Sequence, residues 1–414
     1  MQISLQPPTR KCIFLAVCAL AAASYLASSA ADCIALHLAE RPTLANLQRA
    51  TRIEPMNAEN WFRLGRYQFL LNHSPEAAAD ALRMATFLNP HKARYWLELA
   101  SAYQTGGDQD AQAASLGRAL QVEPRTSTVA WDAGNLYMVM GDSQKALREF
   151  RIVLRDDPHM APVVLPMCWR LSRDTDSYRL PPDPQVYFAL LDFLVARKET
   201  AATEKVWNQL ALLHQPLERR RAFDLIRFLI SQQEVDQAAT VWKQCASLCG
   251  LQAYQPSADN LVINPNFSLD VLNNGFDWLY TKSQDVSLAV DPLQTHAGHR
   301  SLLIDFDAST LDEAGIKQLI PVRPGTSYDF SAYFKVEDLR GAGGPRFALS
   351  DAYANSTIFA SDALIGSHAW KQVQGSFTTG PDTKLLALQV QHVPAGDAIR
   401  GKLWISDISL SPAH

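Results

Sequence analysis

The sequence has no excess of charge of either sign. Its 414 residues carry a formal net charge of −4 at pH 7, and residues 260–414 hold 11 basic and 16 acidic side chains. Proteins that bind nucleic acid usually display a strongly basic surface, and proteins that bind membrane surfaces a polybasic cluster. Neither half of the chain has such a cluster, so we do not expect nucleic acid as a partner.

The short motifs that carry catalysis are also absent. The sequence contains no HExxH, no Walker loop, no G-x-S-x-G and no GxGxxG. His296 and His299 are three residues apart, but they lie in a predicted turn with no cysteine or third histidine nearby. Counting carboxylates does not exclude a glycosidase-type pair, but such pairs normally belong to larger catalytic domains. We therefore predict a protein that is not an enzyme and has no cofactor.

Cysteine is scarce outside the first 32 residues. Cys245 and Cys249 are four residues apart, on one face of a predicted helix. One interpretation is a redox or metal pair, and the other is two small packing residues. The second is favoured because no CxxC or neighbouring histidine completes a ligand set. The spacing assigns no disulfide.

The N-terminus predicts export. Arg10 and Lys11 precede an uncharged run from Cys12 to Ala31, which ends at Asp32. This pattern is typical of a secretory signal cleaved after Ala31, and residues 1–32 are slightly favoured as such. The alternative is an uncleaved anchor in the inner membrane, because about 20 apolar residues can span a bilayer. The positive-inside rule places the rest of the chain across the membrane, in the periplasm or cell envelope.

A period near 34 residues runs through the first half of the chain. Small residues recur in phase at Gly65, Ala100 and Gly134, where they allow paired helices to approach closely. Prolines recur 35, 34 and 34 residues apart, and tryptophans almost in phase with them: Pro55, Pro90, Pro124, Pro158; Trp61, Trp96, Trp131. Each proline is expected to end the second helix of a pair.

This unit resembles the tetratricopeptide repeat family. The match is clear over residues 57–158, and residues 43–55 look like the second helix of a preceding unit. Prolines after Pro158 predict an irregular insertion. A recurrence of 35 residues then returns, and it predicts two divergent helical hairpins over residues 185–250. Residues 33–252 are therefore predicted to be tetratricopeptide-like repeats.

In such solenoids the aromatic stripes form the core, and a protein partner lies on the concave surface. Candidate partner-binding residues are polar positions on the first helix of each pair: Asn60, Arg63, Arg94 and Asn135.

The pattern of apolar and polar residues changes near Ala258. Helical periodicity gives way to short alternating segments separated by Gly, Pro, Asn and Asp. Strand-sized pieces at this spacing over residues 258–414 predict an antiparallel β-sandwich. The predicted fold class is thus an α-helical solenoid followed by a β-sandwich.

The order of these segments resembles the jelly roll of carbohydrate-binding modules of the fourth and ninth families. The resemblance rests on the opening Asn-Pro-Asn-Phe at 264–267, the Gly-Phe-Asp-Trp at 275–278 and the closing strand at 401–410. It implies sugar binding by aromatic stacking and by hydrogen bonds to amides and guanidinium groups. Trp278, Trp370 and Trp404 are expected to be framework. The glycan-binding candidates are Arg346, Tyr353, Gln389 and Gln391, and the alternative is that this face is simply solvated.

The resemblance also implies a structural calcium, with Asp407 at the position of one ligand. Ser268 stands where a second, acidic ligand would follow the Asn-Pro-Asn-Phe motif. Calcium needs several converging oxygens, and Ser268 supplies no carboxylate to this set.

Together these features predict a non-catalytic envelope adaptor. Its repeats would hold a protein partner and its sandwich a glycan, in the export or assembly of a surface polysaccharide. A purely structural protein–protein scaffold and a non-catalytic subunit of a glycan-processing enzyme are the alternatives.

Overall fold

The computed structural model describes residues 8–40, 42–394 and 396–413. The chain divides into two compact units, Met1–Val186 and Tyr187–His414. The first unit is helical, and its α-helices are α1 (Pro8–Glu40), α2 (Leu44–Ile53), α3 (Ala58–Leu70), α4 (Pro75–Leu88), α5 (Ala93–Gly106), α6 (Gln109–Val122), α7 (Ser127–Val139), α8 (Ser143–Asp156) and α9 (Ala161–Leu171).

Helices α3 to α8 form three antiparallel hairpins of tetratricopeptide type, and local hydrogen bonds explain their period. Trp61 Nε1 donates to the carbonyl of Pro55 at 2.8 Å, and Trp96 Nε1 donates to the carbonyl of Pro90 at 2.9 Å. Each tryptophan therefore fastens its helix to the proline turn that precedes it. This is why tryptophan and proline recur in phase.

The glycines of the period sit where two helices touch. A Cβ added to Gly65 would lie 2.5 Å from Leu82 Cγ, and one added to Gly134 would lie 2.6 Å from Phe150 Cε1. Neither distance leaves room for a methyl group. The predicted close approach of paired helices is confirmed at both positions.

Adjacent hairpins are joined by a buried tyrosine. Tyr95 OH on α5 donates to Glu59 Oε2 on α3 at 2.8 Å, and the Tyr95 and Phe62 rings lie 4.7 Å apart. Burial, followed by the bond to Glu59, raises the pKa of Tyr95, so this hydroxyl stays a donor at neutral pH.

The prediction of an irregular insertion after Pro158 is wrong in its first part. A 3₁₀ turn at Pro158–Met160 leads into the eleven-residue α9, which contains Pro162 and Pro166. Pro162 lies in the first turn, where no intrahelical N–H bond is required, so it does not prevent a helix. The irregular segment lies later, around Pro181 and Pro182.

In the described part of the second unit, two pairs of helices precede ten strands, which agrees with the predicted order of helices followed by a β-sandwich. The helices are α10 (Pro184–Ala196), α11 (Thr200–Ala211), α12 (Arg219–Ser231) and α13 (Val235–Leu248). The strands are β1 (Leu279–Tyr280), β2 (Val286–His296), β3 (His299–Ser309), β4 (Glu313–Pro321), β5 (Ser327–Arg340), β6 (Gly344–Asp351), β7 (Thr357–Ala360), β8 (Gly366–Thr378), β9 (Leu385–Val393) and β10 (Ile399–Pro412).

The strands form two antiparallel five-stranded sheets. Sheet A has the order β1-β4-β9-β6-β7, and sheet B has the order β2-β3-β10-β5-β8. One hydrophobic core lies between them and includes Phe267, Trp278, Phe330 and Leu403. The sandwich is the second half of the predicted fold class.

The opening motif of the sandwich is framework. The Asn264 side chain bonds both the N–H and the carbonyl of Leu269, and Trp278 Nε1 donates to the Asn264 carbonyl at 3.1 Å. The N–H of Ile408 on the last strand donates to the Pro265 carbonyl. The motif therefore joins the first loop to β10, and its side chains are not free for a ligand.

The hairpin α12–α13 packs on the sandwich within the second unit. Trp242 of α13 lies against Gly275, where an added Cβ would fall 2.1 Å from Trp242 Cζ3, and edge-on to Phe276. Arg227 of α12 donates to Asn274 Oδ1 at 2.9 Å. The last helical hairpin and the β-sandwich are thus parts of one compact unit.

Candidate functional site

The side chains of β9 alternate between the core and the opposite surface of sheet A, here called the outer face. Leu388 and Val390 belong to the core between the sheets. Gln389 and Gln391 are their alternate neighbours and therefore lie on the outer face. The alternation that predicts a shared face for the two glutamines is present in the structure.

Neighbouring strands extend this pair into a continuous group. Arg346 of β6 is the register partner of Gln391, while Lys317 of β4 and Ala348 of β6 flank Gln389. Directly opposed residues of neighbouring strands point to the same face. Lys317, Arg346, Gln389 and Gln391 are here called the polar strip.

One member of the polar strip holds a buried polar atom without a protein partner in the described part of the chain. The Arg346 Nε donor is buried and has no acceptor within hydrogen-bonding distance, and the neighbouring Gln389 is only 5% exposed. A buried donor left without an acceptor costs about 1–3 kcal/mol. Native proteins keep such groups mainly where a ligand or water completes them. The strip offers guanidinium and ammonium donors together with amides that both donate and accept, a set suited to hydroxyl groups.

Tyr353 does not join the other three glycan-binding candidates. It follows the end of β6, whereas Arg346 lies near its start, so the two are separated by roughly 20 Å of chain at ~3.3 Å per residue. Tyr353 OH donates to the Ile230 carbonyl at the end of α12 at 2.8 Å, and burial raises its pKa to about 12. The hydroxyl ties the sandwich to the helical hairpin.

The hairpin α12–α13 contacts another part of the outer face. Leu319 and Pro321 of β4 line an apolar groove of about 700 Å³ together with Trp242 and Lys243 of α13. Lys384, just before β9, lies 4.0 Å from Asp236 of α13. The polar strip is therefore the part of the outer face on the side away from these contacts.

Two of the three motif tryptophans are buried, as expected for framework. Trp278 is in the core, and Trp404 donates to Asp291 Oδ2 at 2.9 Å beneath the ammonium of Lys335. Trp370 is half-buried on β8, and its ring centre is 5.2 Å from that of His296.

Asp407 is the meeting point of two histidines. Its Oδ2 lies 2.5 Å from His296 Nδ1, and its Oδ1 lies 3.0 Å from His299 Nδ1. The His296 ring also stacks on Tyr333, with ring centres 3.9 Å apart. These bonds tie the β2–β3 hairpin to β10. The sequence predicts that both histidines lie at a turn. It gives no sign of their contact with Asp407, which is over 100 residues away.

These residues do not fit the calcium ion that the resemblance implies. Calcium takes six to eight oxygen ligands, whereas both oxygens of Asp407 face imidazole nitrogens. Ser268 is exposed and its N–H bonds Asn266 Oδ1. Within the described ranges, no three His, Cys, Asp or Glu side chains are placed to hold a metal.

The partner-binding candidates of the repeats divide into two kinds. Asn60 is buried and donates to Glu54 Oε2, and Asn135 donates to the Trp131 carbonyl. Both amides are engaged within the fold. Arg63 is half-exposed, 3.5 Å from Glu59, and Arg94 is exposed with its guanidinium 4.8 Å above the Phe62 ring. The two arginines keep donors available to a partner.

An ion pair that the sequence analysis missed lies beside them. Arg66 Nε on α3 is 3.0 Å from Glu98 Oε1 on α5. Burial raises the pKa of Glu98, and the charges of Arg66 and Arg94 partly oppose this. This surface of the repeats therefore combines both signs of charge, which suits a polar or charged partner.

Sheet B carries an open acidic cavity of about 690 Å³, which the sequence also did not reveal. Lys402 of β10 is the register partner of Asp305 on β3 and of Glu337 on β5. These three residues line the floor of the cavity. Arg400 pairs with Asp307 at its rim at 3.0 Å. Its charged groups are mostly exposed to solvent and partly paired with each other, unlike the buried, unpartnered Nε of Arg346 in the polar strip.

Cys245 and Cys249 meet at the end of α13. Their sulfurs are 2.8 Å apart, and both side chains are buried. The hydrogen bond between them lowers the pKa of the Cys249 thiol and raises that of Cys245.

The sandwich is similar to a family of known domains. Residues 259–396 match the family model of a carbohydrate binding domain of families 4 and 9. A solved CBM4 structure is 16% identical, covers 37% of this chain and 99% of its own, and has a TM-score of 0.29. Two crystal structures of MamA are 14% and 15% identical and cover 49% and 42% of this chain and 84% and 94% of their own, with TM-scores of 0.27 and 0.33. No curated protein sequence matches the chain.

Proposed function

We propose that this protein is a non-catalytic adaptor of the cell envelope, whose β-sandwich binds a glycan through the polar strip and whose repeats bind a protein. The observation that carries the proposal is the cross-strand group of Arg346, Gln391 and Gln389, in which the buried Nε of Arg346 has no acceptor among the described residues. The match to a carbohydrate binding domain supports the same ligand class.

The chemistry of the strip supports a polyhydroxylated ligand. A sugar offers adjacent hydroxyls that donate and accept, and the paired amides of Gln389 and Gln391 can do both at once. Arg346 and Lys317 add donors only, so they favour the oxygen lone pairs of hydroxyl, carboxylate or sulfate groups. Glu313 of β4 is the other register partner of Gln391 and adds a carboxylate that only accepts, so both signs of charge are present and a neutral polysaccharide fits this set best.

The repeats supply the second half of the proposal. Tetratricopeptide-type solenoids expose their first helices on a concave surface, where Arg63 and Arg94 lie beside the Arg66–Glu98 pair. A partner with both signs of charge would find complementary groups there. A role in exporting or assembling a surface polysaccharide would bring the two binding surfaces into one process.

One observation favours a second candidate, a protein–protein scaffold. Part of the outer face of sheet A already contacts α12 and α13. A face that accepts one helical hairpin could accept other protein elements on the polar strip.

The two candidates are separated by a screen of the full chain, purified in detergent, against an array of bacterial and plant polysaccharides. Saturable binding that Gln391→Ala weakens supports the adaptor. The matched control is Gln372→Ala, an exposed glutamine of β8 on sheet B. A folded protein that binds no glycan would favour the scaffold, and glycan binding that falls equally in both variants would place the glycan site outside the polar strip.

A further inference from the structure

Most of helix α1 is apolar and has no protein partner among the described residues. The segment Lys11–Leu38 is long and apolar enough to cross a membrane, and none of its most apolar window is buried. Its large side chains, among them Ile13, Leu20 and Leu26, are more than half exposed. An apolar surface of this length requires a covering.

The end of the same helix belongs to the folded repeats. α1 continues unbroken to Glu40, and Ala35 near its end has no exposed surface. The last turns pack against α2 and touch α3. The sequence predicts that residues 43–55 are the second helix of a unit that precedes the clear repeats. The structure supplies the first helix of that unit from the end of α1.

The length of the uncharged run distinguishes an anchor from a cleaved signal. The run Cys12–Ala31 has 20 residues, whereas the apolar region of a cleaved signal has about 7–15 and a membrane span needs about 20. Ser29 and Ala31, the predicted cleavage site, lie inside the helix and are followed by more than two further turns.

We propose that α1 is a retained membrane anchor that passes directly, with no linker, into the first repeat. The hydrocarbon core of a lipid bilayer covers the apolar surface of this helix. From Asp32, the first charge after the run, to the buried Ala35 the helix rises only about 4.5 Å. The first hairpin therefore stands at the membrane surface. Arg10 and Lys11 before the span are the cytoplasmic flank. The inference rests on the proposed function only for the compartment in which the repeats lie.

The test uses the wild-type full chain produced in a Gram-negative host. Membranes are washed with alkaline carbonate, and the intact mass of the protein is measured. The proposal expects the protein to stay in the membrane pellet with the Ala31–Asp32 bond uncut. A mature chain that begins at Asp32, a chain cut before a lipid-modified Cys33, or release into the wash would each overturn it. A water-soluble oligomer cross-linked through Cys18 would also overturn it, because a second copy would then cover α1.

A pair of neighbouring substitutions tests the direct passage into the repeats. Ala35→Asp places a charge in the contact with α2, whereas Leu36→Asp places the same charge on an exposed position. Both variants are expected to stay in the membrane pellet. Limited proteolysis between α1 and α2 is expected to become at least tenfold faster in Ala35→Asp only. Equal rates in the two variants would show that the anchor and the repeats are not packed together. Neither readout involves a glycan, so a failed glycan screen would leave this result intact.

Discussion

Arg346 of β6 and Gln391 of β9 stand directly opposite each other on the outer face of sheet A, and the guanidinium Nε of Arg346 is buried without a partner. If a glycan hydroxyl completes this donor, Arg346→Ala removes a charge-assisted hydrogen bond worth about 1.5–3 kcal/mol. We expect the affinity for the glycan found by array to fall about 10–100-fold, as measured by titration calorimetry.

The control for this substitution is Arg340→Ala, since Arg340 ends β5 of sheet B and its side chain is largely exposed. The control is expected to bind like the wild type, and both variants to melt at the wild-type temperature. Loss of binding in both variants would mean that general charge, and not the polar strip, attracts the glycan.

Gly275 makes the contact between the last helix and the sandwich sensitive to a single methyl group. Its φ of +63° and the position of Trp242 both oppose a side chain. We expect Gly275→Ala to lower the free energy of unfolding by about 2–5 kcal/mol, from the left-handed backbone and from overpacking.

Gly298→Ala separates these two causes. Gly298 has a φ of +85°, but nothing lies within 4 Å of its added Cβ. Urea unfolding should therefore show a loss of only about 1–2 kcal/mol for Gly298→Ala. Equal losses at the two glycines would contradict the packing of Trp242 on the sandwich.

Asp277, beside this contact, makes stability depend on pH. It has no exposed surface, and burial raises its pKa from 3.8 to about 6, although the N–H of Leu272 donates to it. The folded state therefore binds this proton more tightly than the unfolded state. The resulting destabilisation is fully present above pH 6 and disappears as the pH falls towards 3.8.

Asp277→Asn should remove this dependence, because an amide stays neutral and can still accept from Leu272. We expect the variant to be more stable than the wild type at pH 8, by at most about 3 kcal/mol, and the difference to shrink by pH 4.5. Urea unfolding at both pH values measures it. A difference that grows on acidification would mean that Asp277 is ionised and stabilised in the folded protein.

The histidine contacts of Asp407 predict that calcium does not stabilise the sandwich. Adding calcium or a chelator should leave the melting temperature unchanged, because imidazoles occupy both oxygens of Asp407. Asp407→Asn should lower the melting temperature whether or not calcium is present. A melting temperature that rises with calcium in the wild type but not in Asp407→Asn would contradict this prediction and show that Asp407 binds calcium.

The sequence predicts those parts of the structure that depend on local repetition. The tryptophan–proline hydrogen bonds of the first two hairpins span only six residues, so their signal is local and recurs along the sequence. Alternation along β9 likewise places Gln389 and Gln391 on one face, because strand side chains alternate regardless of what surrounds them.

Contacts between distant segments carry no such signal. Tyr353 and Ile230 are 123 residues apart, and nothing in the sequence around either residue indicates that they meet. The meeting of His296 with Asp407, 111 residues away, depends in the same way on the order of strands in sheet B. Helix α9 departs from the prediction in part because Pro162 falls in its first turn, where proline is tolerated.

The most direct test of the central claim is hydrogen–deuterium exchange of the full chain with and without a glycan that binds saturably. Binding at the polar strip predicts slower exchange in peptides from β6 and β9, at Gly344–Asp351 and Leu385–Val393, and no change in β8. Slower exchange confined to β8 or to the acidic cavity of sheet B, with β6 and β9 unchanged, would contradict the proposed site.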